Sequence, residues 1–267
     1  MSGTRKSVRD GALGGRVALI SGAARGIGLA IAERFQCEGA RVFLLDCDTE
    51  AGSRAAEELS ARRPENPAAF LAADLARDAE VQAAIAVLGQ STGHLDLLVN
   101  NAAIEFERAF ADLTAADWDS VLNVNLRGAF LLTKAALPLF PEQGGAIVNI
   151  SSVHASHAFP GSLPYACAKA GLIAMTRNLA LELAPKHIRV NSISPGYIDT
   201  RLWDEYLKHV PNPSQVAAHT TALHPVGRRG TPTDVAEAAF YLSTSCSSFV
   251  TGTDLLVDGG LTIRANS

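Results

Sequence analysis

The stretch Leu19–Phe35, "LISGAARGIGLAIAERF", decides the fold. An apolar run of strand type enters it, Gly22, Gly26 and Gly28 follow in a G-x-x-x-G-x-G spacing, and a helical pattern leaves it. Glycine lets a backbone turn sharply and come close to a ligand. A helix that begins at such a turn presents unpaired N–H groups and a positive dipole end, where a pyrophosphate can sit. A glycine-rich turn alone could be only a tight turn. Its place between strand and helix makes dinucleotide binding the stronger reading. The candidate phosphate cradle is Gly22, Arg25, Gly26, Ile27 and Gly28.

The same strand-then-helix alternation continues in both directions. Strand candidates are "RVALIS", "RVFLLD", "AAFLAAD", "LDLLVN", "GAIVNIS", "IRVNSIS" and "DLLVD", apolar and nearly free of internal charge. Such runs suit parallel strands covered on both faces. Helical patterns lie between them. One ends at Gly39, a plausible C-cap; one stops before Pro64; one starts from Asp78, a plausible N-cap. The expectation is a doubly wound, Rossmann-type α/β fold: a parallel sheet of about seven strands in a single domain. Residues 1–13 read as a flexible polar lead-in, and 14–267 as one dinucleotide-binding and catalytic domain. The segment 195–232 is irregular and holds five prolines, which marks 197–226 as a candidate substrate lid.

Composition narrows the classes. The chain has 267 residues, 48 % hydrophobic and 19 % charged, an ordinary globular balance. A net charge of −4 without a basic run argues against nucleic acid and anionic membrane as partners. No apolar stretch approaches the ~20 residues of a membrane span. Cys37, Cys47, Cys167 and Cys246 have no metal or C-x-x-C spacing and read as free thiols of a cytoplasmic protein.

Asp46 ends the second strand, 46 − 28 = 18 residues beyond the last glycine. A carboxylate there accepts hydrogen bonds from the adenosine ribose hydroxyls and repels a 2′-phosphate. Cys47, not a base, follows it. These features favour NAD over NADP, although Asp46 could also simply cap the turn "DCDTE". Asp74, with Leu75 after it, could face the adenine or cap a helix.

"YACAK" places Tyr165 and Lys169 one helical turn apart on one face. An amphipathic helix could carry that pair by accident. Ser152, thirteen residues before Tyr165, lies beyond the carboxyl end of a buried strand, where open α/β sheets bind ligands. A neighbouring ammonium favours phenolate and lowers the phenol pKa from about 10, making a general base. Ser152 can hydrogen-bond the reacting oxygen, and a nicotinamide would take the hydride.

Several motifs together carry a resemblance: "SGAARGIG", "NNAA", "NVNLRGAF", "SS" before "YACAK", "RVNSISPGYIDT" and "LLVDGG". The chain, over about residues 14 to 262, resembles the short-chain dehydrogenase/reductase family. The resemblance implies Tyr165 as base, Lys169 on the cofactor ribose, Ser152 on the substrate oxygen, and Asn125 holding a relay water. It implies Pro195, Gly196, Ile198 and Thr200 on the nicotinamide side, and Asn101 and Ala102 along the cofactor. It also implies a homotetramer. Ala103 departs from the family's glycine after "NNA". Asn125 could instead satisfy only a backbone group.

Glu105, His154, Phe159, Tyr197 and Trp203, with Ser152 and Tyr165, are the expected substrate pocket, a polar and aromatic mix that suits a sugar or polyol. The lid resembles a subgroup that includes L-fucose and 17β-hydroxysteroid dehydrogenases. The expected function is NAD-dependent interconversion of a secondary alcohol and a carbonyl on a small molecule. A hydroxysteroid or 3-oxoacyl-thioester substrate is the alternative, and a non-catalytic NAD-binding regulator the alternative outside enzymes. A Ser/His hydrolase built on His154 or His157 is not needed to explain these motifs. Asp204, Glu205 and His209 could be read as metal ligands but suit a solvated helix face, so no metal is expected.

Overall fold

Each predicted strand forms, and all pair in parallel. The computed structural model describes residues 11–200, 203, 206–208 and 210–264. Its strands are β1 (Val17–Ser21), β2 (Arg41–Asp46), β3 (Ala69–Ala72), β4 (Leu97–Asn100), β5 (Gly145–Ile150), β6 (Ile188–Pro195) and β7 (Asp254–Val257). They make a seven-stranded sheet in the order β3-β2-β1-β4-β5-β6-β7. The order reverses between β1 and β4, and the crevice beyond the carboxyl ends there is where such sheets bind ligands.

Helices α1 (Gly26–Cys37), α2 (Thr49–Arg62), α3 (Asp78–Thr92), α4 (Ala115–Leu122), α5 (Gly128–Ala136), α6 (Leu163–Leu183), α7 (Pro213–Ala222) and α8 (Pro232–Ser243) alternate with the strands. Two apolar layers result. One packs α1, α2 and α8 on the sheet through Ile31, Phe35, Leu59 and Val235. The other packs α3, α5 and α6 through Val81, Leu88, Leu132 and Leu183. The inner strands are thus covered on both faces, which is why their sequences are apolar without alternation.

The boundaries bear out Gly39, left-handed at φ +90 just after α1, and the end of α2 at Arg62. One cap is corrected. Asp78 is the first residue of α3, and Arg77 holds the N-cap position without a side-chain bond; Asp78 instead places negative charge in the first turn. Leu13, which the sequence reading placed in the lead-in, is fully buried, and its N–H donates to Glu38 O at 3.0 Å. The helical pattern from 113 to 140 is not one α-helix. Residues Asn123–Arg127 form a π turn between α4 and α5. Such turns occur mostly as single inserted turns, frequently at functional sites.

Candidate active site

The glycine turn has the shape a pyrophosphate cradle needs. Gly22 and Gly26 have φ of +64 and +58. A Cβ on Gly22 would lie 2.6 Å from Ala102 Cα, and one on Gly28 would lie 2.3 Å from Gly22 O. Asn101 braces the turn: its Nδ2 donates to Ser21 O and Gly22 O, both at 3.0 Å. Arg25 is the N-cap residue of α1 and supplies no side-chain bond, so the first-turn N–H groups stay available to an anion. Ile27 is half-buried against the core. On the far side Thr200 is the nearest group to Gly26, with its methyl 3.8 Å from where a Cβ would stand. These features fit a dinucleotide.

Asp46 ends β2, and its carboxylate accepts from Ala24 N and Asp48 N, each at 3.0 Å. A carboxylate has about four acceptor positions, so a ribose diol still finds room. Arg25 pairs with Asp48 rather than standing open to a phosphate. Asp74 Oδ1 accepts from Ala76 N at 2.9 Å, the turn-capping alternative, while the Leu75 side chain is buried beside Gly128. Pro195 ends β6, and Gly196 follows with its N–H on Val257 O at 3.1 Å. Ile198 is buried against Gly230. Ala103 is exposed, so its methyl is tolerated by the protein itself.

Ser152 follows β5 and starts the tight turn Val153–Ala155, accepting from His154 N at 3.2 Å. Its hydroxyl acts on the Tyr165 phenol of α6. Lys169, one turn on and 2 % exposed, donates from Nζ to Ile150 O at 2.7 Å and stands 5.4 Å from the Tyr165 ring centroid. Ser151 Oγ donates to Lys169 O at 2.9 Å and fixes this part of α6 to the sheet. The Ser, Tyr and Lys of the sequence reading therefore meet at one strand end.

The net shift of the phenol runs opposite to the direction expected from a neighbouring ammonium. Burial pushes the Tyr165 phenol well above its ordinary value; the Glu105 charge adds to this, and the bond from Ser152 only partly opposes it. Burial likewise brings the Lys169 ammonium down to about 8, against an opposing pull from Glu105. Desolvation disfavours both charged forms, and it is the largest cause of each shift.

Asn125 sits inside the π turn, 1 % exposed. Its Oδ1 accepts from Ile104 N at 2.8 Å and its Nδ2 donates to Ile104 O at 2.9 Å. The side chain thus pins the loop after β4, the backbone-satisfying alternative, with one N–H and one lone pair left over.

The substrate candidates do converge. His154 Nδ1 lies 3.4 Å from Glu105 Oε1, and its ring lies 4.1 Å from Phe159 and 5.4 Å from Tyr165, centroid to centroid. Phe159 meets Tyr197 at 6.3 Å, and Tyr197 meets Trp203 at 5.7 Å. Five side chains escaped the sequence reading. Tyr206 packs on Trp203 and Glu107 lies beside Gly161, and no motif marked either residue. Beneath the site, Asn100 Nδ2 donates to Asn149 Oδ1 at 2.8 Å, and Asn149 Nδ2 to Thr176 Oγ1 at 2.8 Å. The asparagines of "VN" and "VNIS" signalled that buried network, since polar residues in otherwise apolar strands require partners. Asp204, Glu205 and His209 lie outside the described residues. Among the described residues no group of three or more His, Cys, Asp or Glu could hold a metal. No described helix is long and apolar enough to cross a membrane.

A dinucleotide cradle beside a Ser–Tyr–Lys cluster defines an oxidoreductase that acts on CH–OH groups with a nicotinamide cofactor. Residues 22–262 match the family model described as enoyl-(acyl carrier protein) reductase. The chain belongs to the short-chain dehydrogenase/reductase family. It is similar to the 3-oxoacyl-(acyl-carrier-protein) reductase of Thermotoga maritima, 36 % identical over 94 % of this chain and 99 % of that one. It is similar to L-fucose dehydrogenase of Bos taurus, 36 % identical over 92 % of this chain and 89 % of that one. Among solved structures, a candidate gluconate dehydrogenase from Agrobacterium tumefaciens superposes with a TM-score of 0.88 at 35 % identity, covering 95 % of this chain and 98 % of that one.

Proposed function

We propose that the protein is an NAD-dependent dehydrogenase that interconverts a secondary alcohol and a carbonyl on a sugar or polyol. The carrying observation is the meeting of Ser152, Tyr165 and Lys169 beyond β5, next to the glycine cradle. Bound NAD supplies the hydride acceptor and, in its oxidised form, a cationic ring. Ser152 holds the reacting oxygen by a hydrogen bond. Tyr165 takes the alcohol proton at its phenolic oxygen. Lys169 keeps α6 anchored to Ile150 and offers its remaining N–H groups to the cofactor ribose. Asn125 holds the Ile104 loop in place and has one donor left for a relay water.

The Asp46 carboxylate and the Arg25–Asp48 pair support NAD over NADP. Asp46 accepts ribose hydroxyls, while the guanidinium that could meet a 2′-phosphate is engaged. For the substrate, the support is the set Glu105, His154, Phe159, Tyr197 and Trp203: carboxylate and imidazole bind hydroxyls, and aromatic faces cover C–H groups. A flat steroid or an acyl thioester has less use for the two polar groups. The segment 197–226 is the lid of this pocket, and the protein works as a homotetramer. A panel of sugars, polyols, steroids and hydroxyacyl esters with NAD and with NADP, followed at the nicotinamide absorbance, tests the reading. Turnover of neutral sugars or polyols with NAD supports it; turnover of steroids or esters alone overturns it.

A further inference from the structure

We propose that the substrate end of this cleft selects neutral hydroxylated ligands against anionic ones, and that Glu105 and Glu107 set the selectivity. The inference rests on the dehydrogenase reading and adds charge to it. Glu105 is one side chain removed from the catalytic phenol. It faces His154 Nδ1 at 3.4 Å and accepts from Ser162 Oγ at 3.5 Å, and the His154 ring meets Tyr165 edge-on at 5.4 Å. A ligand held by Ser152 and Tyr165 therefore extends past a carboxylate.

From His154 an aromatic wall continues: Phe159, Tyr197, Trp203, then Tyr206 at 5.4 Å from Trp203. Trp203 is 8 % exposed and its Nε1 has no hydrogen-bond partner. An unpaired buried donor is costly, and a hydroxyl oxygen of a ligand would satisfy it. Glu107 stands on the exposed rim of the same region. Its carboxyl is held above the ordinary range by partial desolvation and by the Glu105 charge. The Glu107 Cβ lies 3.5 Å from where a Cβ on Gly161 would stand, and the next residue, Ser162, donates to Glu105, so the two acids border the same loop.

Three neighbouring cations are already engaged. Arg229 donates to Asp199 at 2.5 Å while covering Trp203 at 5.0 Å, and Arg108 pairs with Asp117. Lys169 donates to Ile150 O. A carboxylate or phosphate on the ligand would thus meet like charge in a partly desolvated site, where repulsion is screened less than in water. A neutral polyol meets acceptors and donors only.

The test measures kcat/KM for matched pairs, an aldose or polyol beside its aldonate or uronate, in wild type, E105Q, E107Q and the double variant. If hydroxyacyl compounds are the class that turns over, the pair becomes the neutral ester and the free acid, so failure of the sugar reading and failure of the charge inference remain separate results. We expect the neutral member to lead by about tenfold or more, the equivalent of one pKa unit of interaction. Added salt should shrink the lead. Each Gln variant should shrink it too, with the anionic member gaining. Glu107 lies on the exposed rim, so E107Q keeps the test alive if E105Q folds poorly. An anionic member that equals or beats the neutral one in wild type, or a ratio that neither variant nor salt moves, overturns the proposal.

Discussion

Tyr165 touches Ser152 on one side and faces Lys169 on the other, yet burial holds its proton more tightly than a free phenol does. The base must be phenolate to accept an alcohol proton, so alcohol oxidation should rise with pH and carbonyl reduction should fall. Without cofactor, the ultraviolet phenolate signal assigned by difference against Tyr165→Phe should be missing at pH values up to the ordinary phenol pKa of about 10. With NAD bound, the cationic ring should bring it lower. A Tyr165 phenolate that appears in the free protein below that value would sink this account. Tyr165→Phe should cost 10²–10⁴-fold in kcat, the usual worth of general base catalysis, and leave NAD binding nearly intact. Asp46→Ala should move the ratio of kcat/KM values toward NADP; equal use of both cofactors by the wild type would remove its premise. Ser152, Tyr165, Lys169 and Asp46 were legible because their spacing follows the period of one helix and the ends of single strands. The direction of the Tyr165 shift was not. It depends on how much water the folded chain removes, and Glu105, part of its cause, is sixty residues away in sequence.

At the scale of elements, the glycine turn and α1 act as one unit. Gly28 packs against the Gly22 carbonyl so closely that a methyl has no place. Gly28→Ala must push the turn apart, and core insertions typically cost 1–3 kcal/mol. A melting temperature that falls together with NAD affinity, read by thermal unfolding and calorimetry, is the expected outcome; unchanged NAD affinity would mean that the turn is not the cradle. The turn was legible because strand, glycines and helix are contiguous. The π turn at Asn123–Arg127 was not, since its residues fit the surrounding helical period. What sets it is tertiary: Asn125 is tied to Ile104 by two hydrogen bonds, and Gly128 lies against Leu75. The proposed lid is lightly anchored over α7. Its helix α7 buries only Thr220, and Val226 stands 64 % exposed. Hydrogen exchange in α7 should slow when cofactor and substrate are both present, as closing loops do. Equal protection in the free and ternary forms would count against closure.

The whole sheet was readable because parallel strands covered on both faces leave uninterrupted apolar runs, and because helical patterns of crossover length separate them. What strand patterns do not reveal is where the covered surface ends. The described chain leaves large apolar side chains in the open on several elements: Phe130 of α5 at 47 %, Leu163 and Leu181 of α6 at 42 % and 80 %, Leu256 of β7 at 43 %, with Phe249 and Ile263 nearby in sequence at 100 % and 82 %. Single exposed apolar residues are ordinary, but contiguous patches mark interaction surfaces. Here they fall on α5, on both ends of α6, and on the β7 edge with the segments flanking it in sequence. A chain with two self-complementary faces closes as a dimer of dimers when both are isologous. The α5–α6 face also carries the back of the helix that holds Tyr165 and Lys169, so association there would stiffen the catalytic helix. Light scattering at micromolar concentration should therefore give four chains per particle. Leu181→Asp should reduce the particle to two chains and lower the melting temperature, with Phe249→Asp as a control on the other face. A wild-type monomer would refute the assembly. A Leu181→Asp protein that stays at four chains would move the interface off α6.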